Sequence, residues 1–314
     1  MDHVSPRDAE PRPYNAVSAR WRAIFGRAAR KVPLDAGFGC PNRDGALATG
    51  GCIFCNARGS GTGLGQRMAL SAQWTYWSQR LRARWGHDLA LVGYLQAFSN
   101  THGPAARLAA VLHELAALPD MAGLCLATRP DCLDEEKIAL LAAFPVEEFW
   151  LELGLQSSNP ATLARIRRGH GAACFADAVR MAADAGLKVT AHVMAGLPGE
   201  TRADWDATVD FVNALPVAGV KFHNVYAARD TELARMHLAG EAPLPELEEY
   251  ADFVACALAR LRPEIVVHRL HADPAHGELV APAWAGARRR LHNTIAEVLR
   301  VRGVRQGMNR TERT

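Results

Sequence analysis

Short apolar runs alternate with amphipathic stretches along most of this chain, and that alternation constrains the fold more than any other feature. Residues 89–98, 124–127, 149–155, 187–195 and 220–225 read as strands, and 31–38 reads as an earlier one. Between them 68–85, 105–117, 134–144, 160–168, 174–185 and 202–215 read as helices. An amphipathic helix over 14–29 carries Val17, Trp21, Ile24 and Phe25 at helical spacing. Six β units in alternation with helices imply a parallel sheet with right-handed crossovers. Six fall short of the eight of a closed barrel. The pattern alone leaves an open partial barrel and a doubly wound sheet equally available. In both, chemistry gathers at the C-terminal ends of the strands.

After Tyr226 the pattern changes to helices over 231–238 and 246–261, a strand over 264–270, and a last helix marked by Leu291, Ile295, Val298 and Leu299. Three regions are therefore expected. Residues 1–29 form a polar segment with a short helix, 30–228 the main α/β core, and 229–314 a small α+β extension.

Just past the first strand three of the seven cysteines, Cys40, Cys52 and Cys55, fall inside sixteen residues. The C-x-x-C pair sets two thiolates at one centre, and Pro41, Gly45, Gly50 and Gly51 let the loop bring Cys40 to the same point. Soft thiolate selects zinc, copper(I) or iron–sulfur. A structural zinc site and most iron–sulfur clusters take four protein ligands. The next cysteine, Cys125, is far along the chain, and no histidine lies between Cys40 and Cys55. Two readings stand: a zinc clip closed by a distant histidine, or a cluster with one open coordination position. The glycine run at 59–65 lacks the Gly-Lys-Ser/Thr of a phosphate loop and reads as a flap over this centre.

Formal net charge is +3, so overall charge does not argue for nucleic acid, but placement does. From Arg288 to the end there are eight arginines against two acids. Met1 to Pro13 is polar and proline-rich, unlike a secretory signal, and no apolar run reaches membrane-spanning length. Unevenly spaced cysteines suit a reducing cytoplasm.

The cysteine motif, ending in Cys52-Ile-Phe-Cys55, resembles the cluster motif of the radical S-adenosylmethionine (SAM) superfamily. Its wide first gap is similar to the branch that contains the catalytic subunit of elongator. Gly-Phe-Gly-Cys40-Pro-Asn-Arg-Asp-Gly, Thr128-Arg-Pro-Asp-Cys132, the Glu152-Leu-Gly-Leu-Gln156 strand and the Arg168-Gly-His170 step also resemble bacterial YhcC-like radical SAM proteins. The resemblance covers about residues 30–300 and implies a partial (β/α)6 open TIM-like barrel. It implies a 4Fe-4S cluster held by Cys40, Cys52 and Cys55, with SAM on the open iron and Phe54 beside it.

On the same resemblance, Gln96 lies in the segment that meets the SAM amino group, although the family's Gly-Gly-Glu is absent there. Arg129, extended before a proline, aims into the mouth, and Asp131 is expected to cap the following helix. Gln156 and Arg168 contact SAM, as a guanidinium fork suits a carboxylate. Glu152 is a charge in an apolar strand and needs a partner, either a ribose or an arginine such as Arg129. His192 is a ribose candidate, and Gly196, in Gly196-Leu-Pro-Gly-Glu200, offers backbone to adenine. Lys221, His223 and Asn224 are substrate-side candidates, and Cys132 is a candidate hydrogen donor.

These readings imply reductive cleavage of SAM for hydrogen abstraction, with an electron from an external flavodoxin- or ferredoxin-type donor. The C-terminal arginines and the elongator resemblance point to transfer RNA as substrate. The alternatives are a small metabolite or tetrapyrrole, and a zinc-stabilised RNA-binding protein without catalysis.

Overall fold

The structure is a computed structural model and describes residues 12–59 and 68–309. The expected flap therefore lies, beyond Gly59, outside the described residues. α1 (Val17–Phe25) leads into β1 (Ala28–Leu34), and the cysteine loop follows without regular structure. Then α2 (Leu70–Trp85), β2 (Leu89–Leu95), α3 (Ala105–Ala116), β3 (Met121–Thr128) and α4 (Glu135–Ala142) alternate. β4 (Glu148–Gln156), α5 (Pro160–Arg165), α6 (Ala172–Asp184), β5 (Lys188–Ala195), α7 (Arg202–Asn213) and β6 (Gly219–Asn224) continue the series. Six β units thus run as the alternation requires. The C-terminal segment then holds β7 (Ala227–Ala228), α8 (Glu232–Leu238), α9 (Leu247–Arg260), β8 (Val266–Arg269), β9 (Leu279–Ala281) and α10 (Arg288–Val301).

The main sheet is parallel throughout, in the order β1-β2-β3-β4-β5-β6-β8. β8 joins it beside β6, so the C-terminal segment supplies a seventh strand. β7 and β9 pair separately as a short antiparallel ribbon. Because helices cover the outer face and side chains fill the inner one, central strands are buried on both faces. β2 shows this in full, with every residue buried. The sheet curls into an open partial barrel, and its interior contacts show why. In a flat sheet β1 and β6 would stand about 24 Å apart, yet Lys31 of β1 and Lys221 of β6 reach the same carboxylate, Glu152 of β4.

α4 is capped by Asp134, whose side chain accepts from the Lys137 amide. The expectation that Asp131 does so is corrected: Asp131 lies in a short 3₁₀ turn and binds Arg129 instead. α9 packs on α7 and α10, with Phe253 edge-on to Trp205 of α7 at 5.3 Å. This ties the C-terminal layer to the core.

At the N-terminal end of β4, Glu148 is 2% exposed and accepts from Arg20 at 2.7 Å, from Trp150 Nε1 at 3.0 Å and from Lys188. Burial pushes its carboxyl up, but Arg20 and Lys188 outweigh burial and hold it below the usual carboxylate value. A depressed folded value contributes stability above the unfolded carboxylate range, and that stability is lost as pH falls through the folded value. Glu148→Gln is therefore expected to cost about 1–3 kcal/mol at pH 7. In urea denaturation the gap from wild type should close as pH drops below the ordinary glutamate value. A gap that stays constant through that acid range would show that the charge of Glu148 does not matter.

Candidate active site

A cavity of about 400 Å³ opens at the C-terminal ends of the strands, where parallel folds of this kind place chemistry. Cys40, Cys52 and Cys55 line one wall of it as free thiols. Their loop is positioned by hydrogen bonds rather than by secondary structure. Asn42 donates to the carbonyls of Arg167 and Arg168 at 2.8 and 2.9 Å, and its amide stands 3.6 Å from Cys52 Sγ. Arg43 donates to the Cys55 and Asn56 carbonyls. The amide of Ile53 reaches Ile166, and its carbonyl accepts from Leu233. The loop is thereby pinned to the end of α5 and the start of α8. Burial pushes the Cys55 thiol up, opposed by the Arg43 guanidinium.

Arg168 faces the thiols. Its Nη2 donates to the Gly154 carbonyl at 2.8 Å, and Nη1 lies 3.9 Å from Cys52 Sγ. Its buried Nε has no partner among the described residues. Gly154 is what leaves the guanidinium room: a Cβ there would fall 2.4 Å from Arg168 Nη2 and 2.6 Å from the Gln156 amide. Gln156 itself adopts φ 73°, uncommon for a residue with a side chain, and does so on the cavity wall. Gly169, at φ 81°, allows Asn42 and Arg129 to approach, since a Cβ would meet Asn42 Oδ1 at 2.5 Å.

Arg129 lines the cavity but spends its fork on Asp131, at 2.9 and 2.7 Å, and donates a third bond to the Arg168 carbonyl. It is therefore not the partner of Glu152. Glu152, fully buried, instead meets Lys31 Nζ at 2.8 Å, His192 Nε2 at 3.0 Å and Lys221 Nζ. Lys221 also donates to Tyr94 Oη at 2.9 Å. Burial opposes the charge of Glu152, but Lys221 and Lys31 outweigh it and hold the carboxyl well below its usual range. Burial, with Lys221 adding to it, pulls His192 down to about 4, so its imidazole is neutral at pH 7. With Nε2–H on Glu152, Nδ1 is left as an acceptor. His223 is likewise held well below its ordinary value by burial and by His192, and the two rings stand 5.2 Å apart.

Of the residues singled out from sequence, Cys40, Cys52, Phe54, Cys55, Gln96, Arg129, Glu152, Gln156, Arg168, His192, His223 and Asn224 share this cavity. Three do not line it. Lys221 lies behind Glu152. Cys132 is buried with its Sγ 4.0 Å from His102 Nδ1, and burial raises its thiol to about 11. Gly196, at φ 98°, faces Pro245, which a Cβ would meet at 2.6 Å. Sequence reasoning passed over Lys31, Tyr94, Tyr226, Arg269 and Glu278. Lys31 carried a signal, as a charge inside a strand, and so did Arg269, at the end of one. Glu278 had none, being a loop residue that gathers Asn56 and Tyr226 from distant positions and the Ala275 amide from its own turn.

The donor chemistry is that of three soft thiolates on one wall facing open space. Among the described residues, no three His, Cys, Asp or Glu side chains are grouped as a single-ion site. Three thiolates are the donor set an iron–sulfur cluster takes, and the Arg168 guanidinium stands beside Cys52 on the same wall.

Removing the charge of Glu152 leaves buried cations uncompensated. Glu152→Gln is expected to cost about 3–5 kcal/mol in urea denaturation at pH 7. Adding Lys221→Met should recover part of the loss. A single variant as stable as wild type would show that the network does not hold the barrel.

The family model for the Radical SAM superfamily matches residues 37–212, and that for the Radical_SAM C-terminal domain matches 217–300. The chain is 34% identical to the uncharacterized protein YtqA of Bacillus subtilis over 296 residues, covering 94% of this chain and 92% of that one. It is 33% identical over 263 residues to protein YhcC of Escherichia coli, covering 83% and 84%. The structure of Elp3 from the archaeon Methanocaldococcus infernus aligns with a TM-score of 0.68 at 18% identity, over 88% of this chain and 64% of that one, which shows a shared fold. With the thiol wall, the curled parallel sheet and both family models in agreement, the chain belongs to the radical SAM superfamily, among its YhcC-like members.

Proposed function

We propose that Cys40, Cys52 and Cys55 hold a 4Fe-4S cluster, that the cavity takes SAM against it, and that the enzyme acts on an RNA nucleotide brought to the mouth. The observation that carries the first two parts is the sharing of one cavity by the three thiols with Arg168, Gln156, Glu152 and His192. When bound, the cluster and SAM supply reductive cleavage to methionine and a 5′-deoxyadenosyl radical able to abstract hydrogen. The electron comes from an external flavodoxin- or ferredoxin-type donor, and a reducing cytoplasm is the compartment such a cluster suits.

The chain's own residues orient and shield. Arg168, with an unpartnered Nε, offers a planar fork to the SAM carboxylate. His192 keeps an acceptor nitrogen for a hydroxyl, because Glu152 holds its other nitrogen as a donor. Phe54 and Met194 give the wall its apolar part.

The RNA part rests on α10. Arg288, Arg289 and Arg290 open that helix, with no acidic residue in its first turn and no side-chain cap. Cations at the positive end of a helix dipole cost about 0.3–1 kcal/mol each, so the triplet does not serve the helix. Arg288 Nε lies 3.8 Å from Asp273, a residue of the cavity wall, and so the basic end stands beside the mouth. Such a patch suits phosphates leading a nucleotide inward. The elongator resemblance implies transfer RNA.

Anaerobic reconstitution with iron and sulfide should load about four irons per chain, and SAM with a reductant should yield 5′-deoxyadenosine. Cys55→Ala should lose both. Stoichiometric zinc after oxygen-free purification, with no iron taken up, would end the cluster reading. Transfer RNA should bind with an affinity that falls steeply with salt. Replacing the three arginines by glutamine should weaken it about ten-fold or more at low salt, and an unchanged affinity would remove RNA from the proposal.

A further inference from the structure

Both sides of the cavity carry polar groups that have no partner among the described residues. On the thiol side these are the Nε atoms of Arg43 and Arg168, whose Nη2 atoms are engaged by carbonyls. On the β6–β8 side three groups are left over. Arg269 ends β8 and lines the cavity, and among the described residues its guanidinium makes no hydrogen bond or ion pair. Asn224 ends β6 with no exposure. Its Oδ1 accepts from the Ala272 amide at 2.9 Å, which fixes the side-chain orientation and leaves the buried Nδ2 as a donor without an acceptor. His223 lines the same side, and its Nε2 is also buried and, among the described residues, unpartnered.

Charge adds to this. Lys31 and Lys221 already share the single carboxylate of Glu152, and Arg269 adds a further positive charge to the wall, near enough to Asp273 to help hold that carboxyl down against burial but not hydrogen-bonded to it. Asp273, at the rim, is engaged by His271 at 3.4 Å and by Arg288. Buried donors without acceptors are rare and costly, and convergent ones on a cavity wall mark a ligand.

We propose that Arg269, Asn224 and His223 form a substrate subsite for an anionic group, a carboxylate or a phosphate ester, carried by the part of the substrate that enters the mouth. The proposal rests on the radical SAM reading, in which the carboxylate of SAM is met on the opposite side by Arg168. Arg269 supplies the charge and a two-pronged donor, Asn224 Nδ2 a directional donor, and His223 a neutral edge that fixes orientation. The subsite places the reacting part of the substrate between the β6–β8 corner and the thiol wall.

The test uses the reconstituted enzyme saturated with SAM, so that the site for the SAM carboxylate is filled, in a background where Arg288, Arg289 and Arg290 are glutamine. Acetate and methyl phosphate are the probes, read by saturation transfer to their methyl protons. At least one should receive saturation, acetate marking a carboxylate and methyl phosphate a phosphate ester. Arg269→Gln and Asn224→Asp should each weaken that binding about ten-fold or more, the loss of a charge-assisted hydrogen bond. Asn224→Asp keeps the acceptor for the Ala272 amide, so the fold is retained while the donor becomes an anion. SAM affinity should stay within about two-fold in both variants. No transfer to either probe, or transfer unchanged in both variants, overturns the subsite. A parallel loss of SAM affinity in Arg269→Gln overturns it too, by assigning the corner to SAM itself. Failure of the parent protein to bind iron and SAM is a separate result, which removes the parent reading and the subsite with it.

Discussion

One buried carboxylate holds the barrel's curl. Glu152 lies on the central strand with no solvent contact, and an ion so placed costs several kcal/mol unless it is compensated. Its compensation comes from β1 through Lys31, from β5 through His192 and from β6 through Lys221, and Lys221 brings in Tyr94 of β2. Five of the seven strands therefore meet at one side chain and its partners. A flatter sheet would pull these groups apart and leave an uncompensated charge inside. The curl that keeps them together is also what turns the strand ends inward around a cavity.

The cysteine loop inherits its position from that cavity. It has no regular structure of its own, so its place depends on hydrogen bonds to the barrel rim. Asn42 reads the carbonyls at the end of α5, and Arg43 folds the loop back on itself. Glycine at 154 and 169 is required because side chains from two segments occupy the space a Cβ would take. The chemistry end is therefore crowded: Arg168 and Asn42 reach Cys52, and Gln156 lies on the wall, only because their neighbours lack side chains.

Much of this was legible before any coordinates, for reasons that differ by residue. Strands and helices followed from hydrophobic periodicity, which is local. The cysteine trio and the Gly-Leu-Gln strand were visible because their spacing is short and their residue types are unusual. What was hidden depends on distance along the chain. The partners of Glu152 on β1 and β6 lie 121 and 69 residues away, and no local pattern links them. The pairing of Arg129 with Asp131 was a near-neighbour contact, yet competition between capping and ion pairing decided it, and Asp134 took the cap. That Pro245 fills the space a Cβ of Gly196 would take follows from how the C-terminal segment packs, which the motif itself does not encode. β8 could be read as a strand but not as the neighbour of β6, since parallel pairing needs a long crossover that periodicity does not specify.

The cavity's polar accounting then separates what the fold needs from what it does not. Glu152, Arg129 and Asp131 are satisfied by the chain itself, so their charges serve the architecture whether or not a ligand is present. Arg168 Nε, Asn224 Nδ2 and His223 Nε2 are buried without partners, each a loss of about 1–3 kcal/mol relative to a satisfied group. A fold selected for stability alone would replace them with apolar side chains of similar size, because the surrounding walls are already packed. Their retention on two opposite sides of one mouth is accounted for when each side meets a different ligand. The groups beside the thiols face the cofactor, and those on β6 and β8 face what the cofactor acts upon.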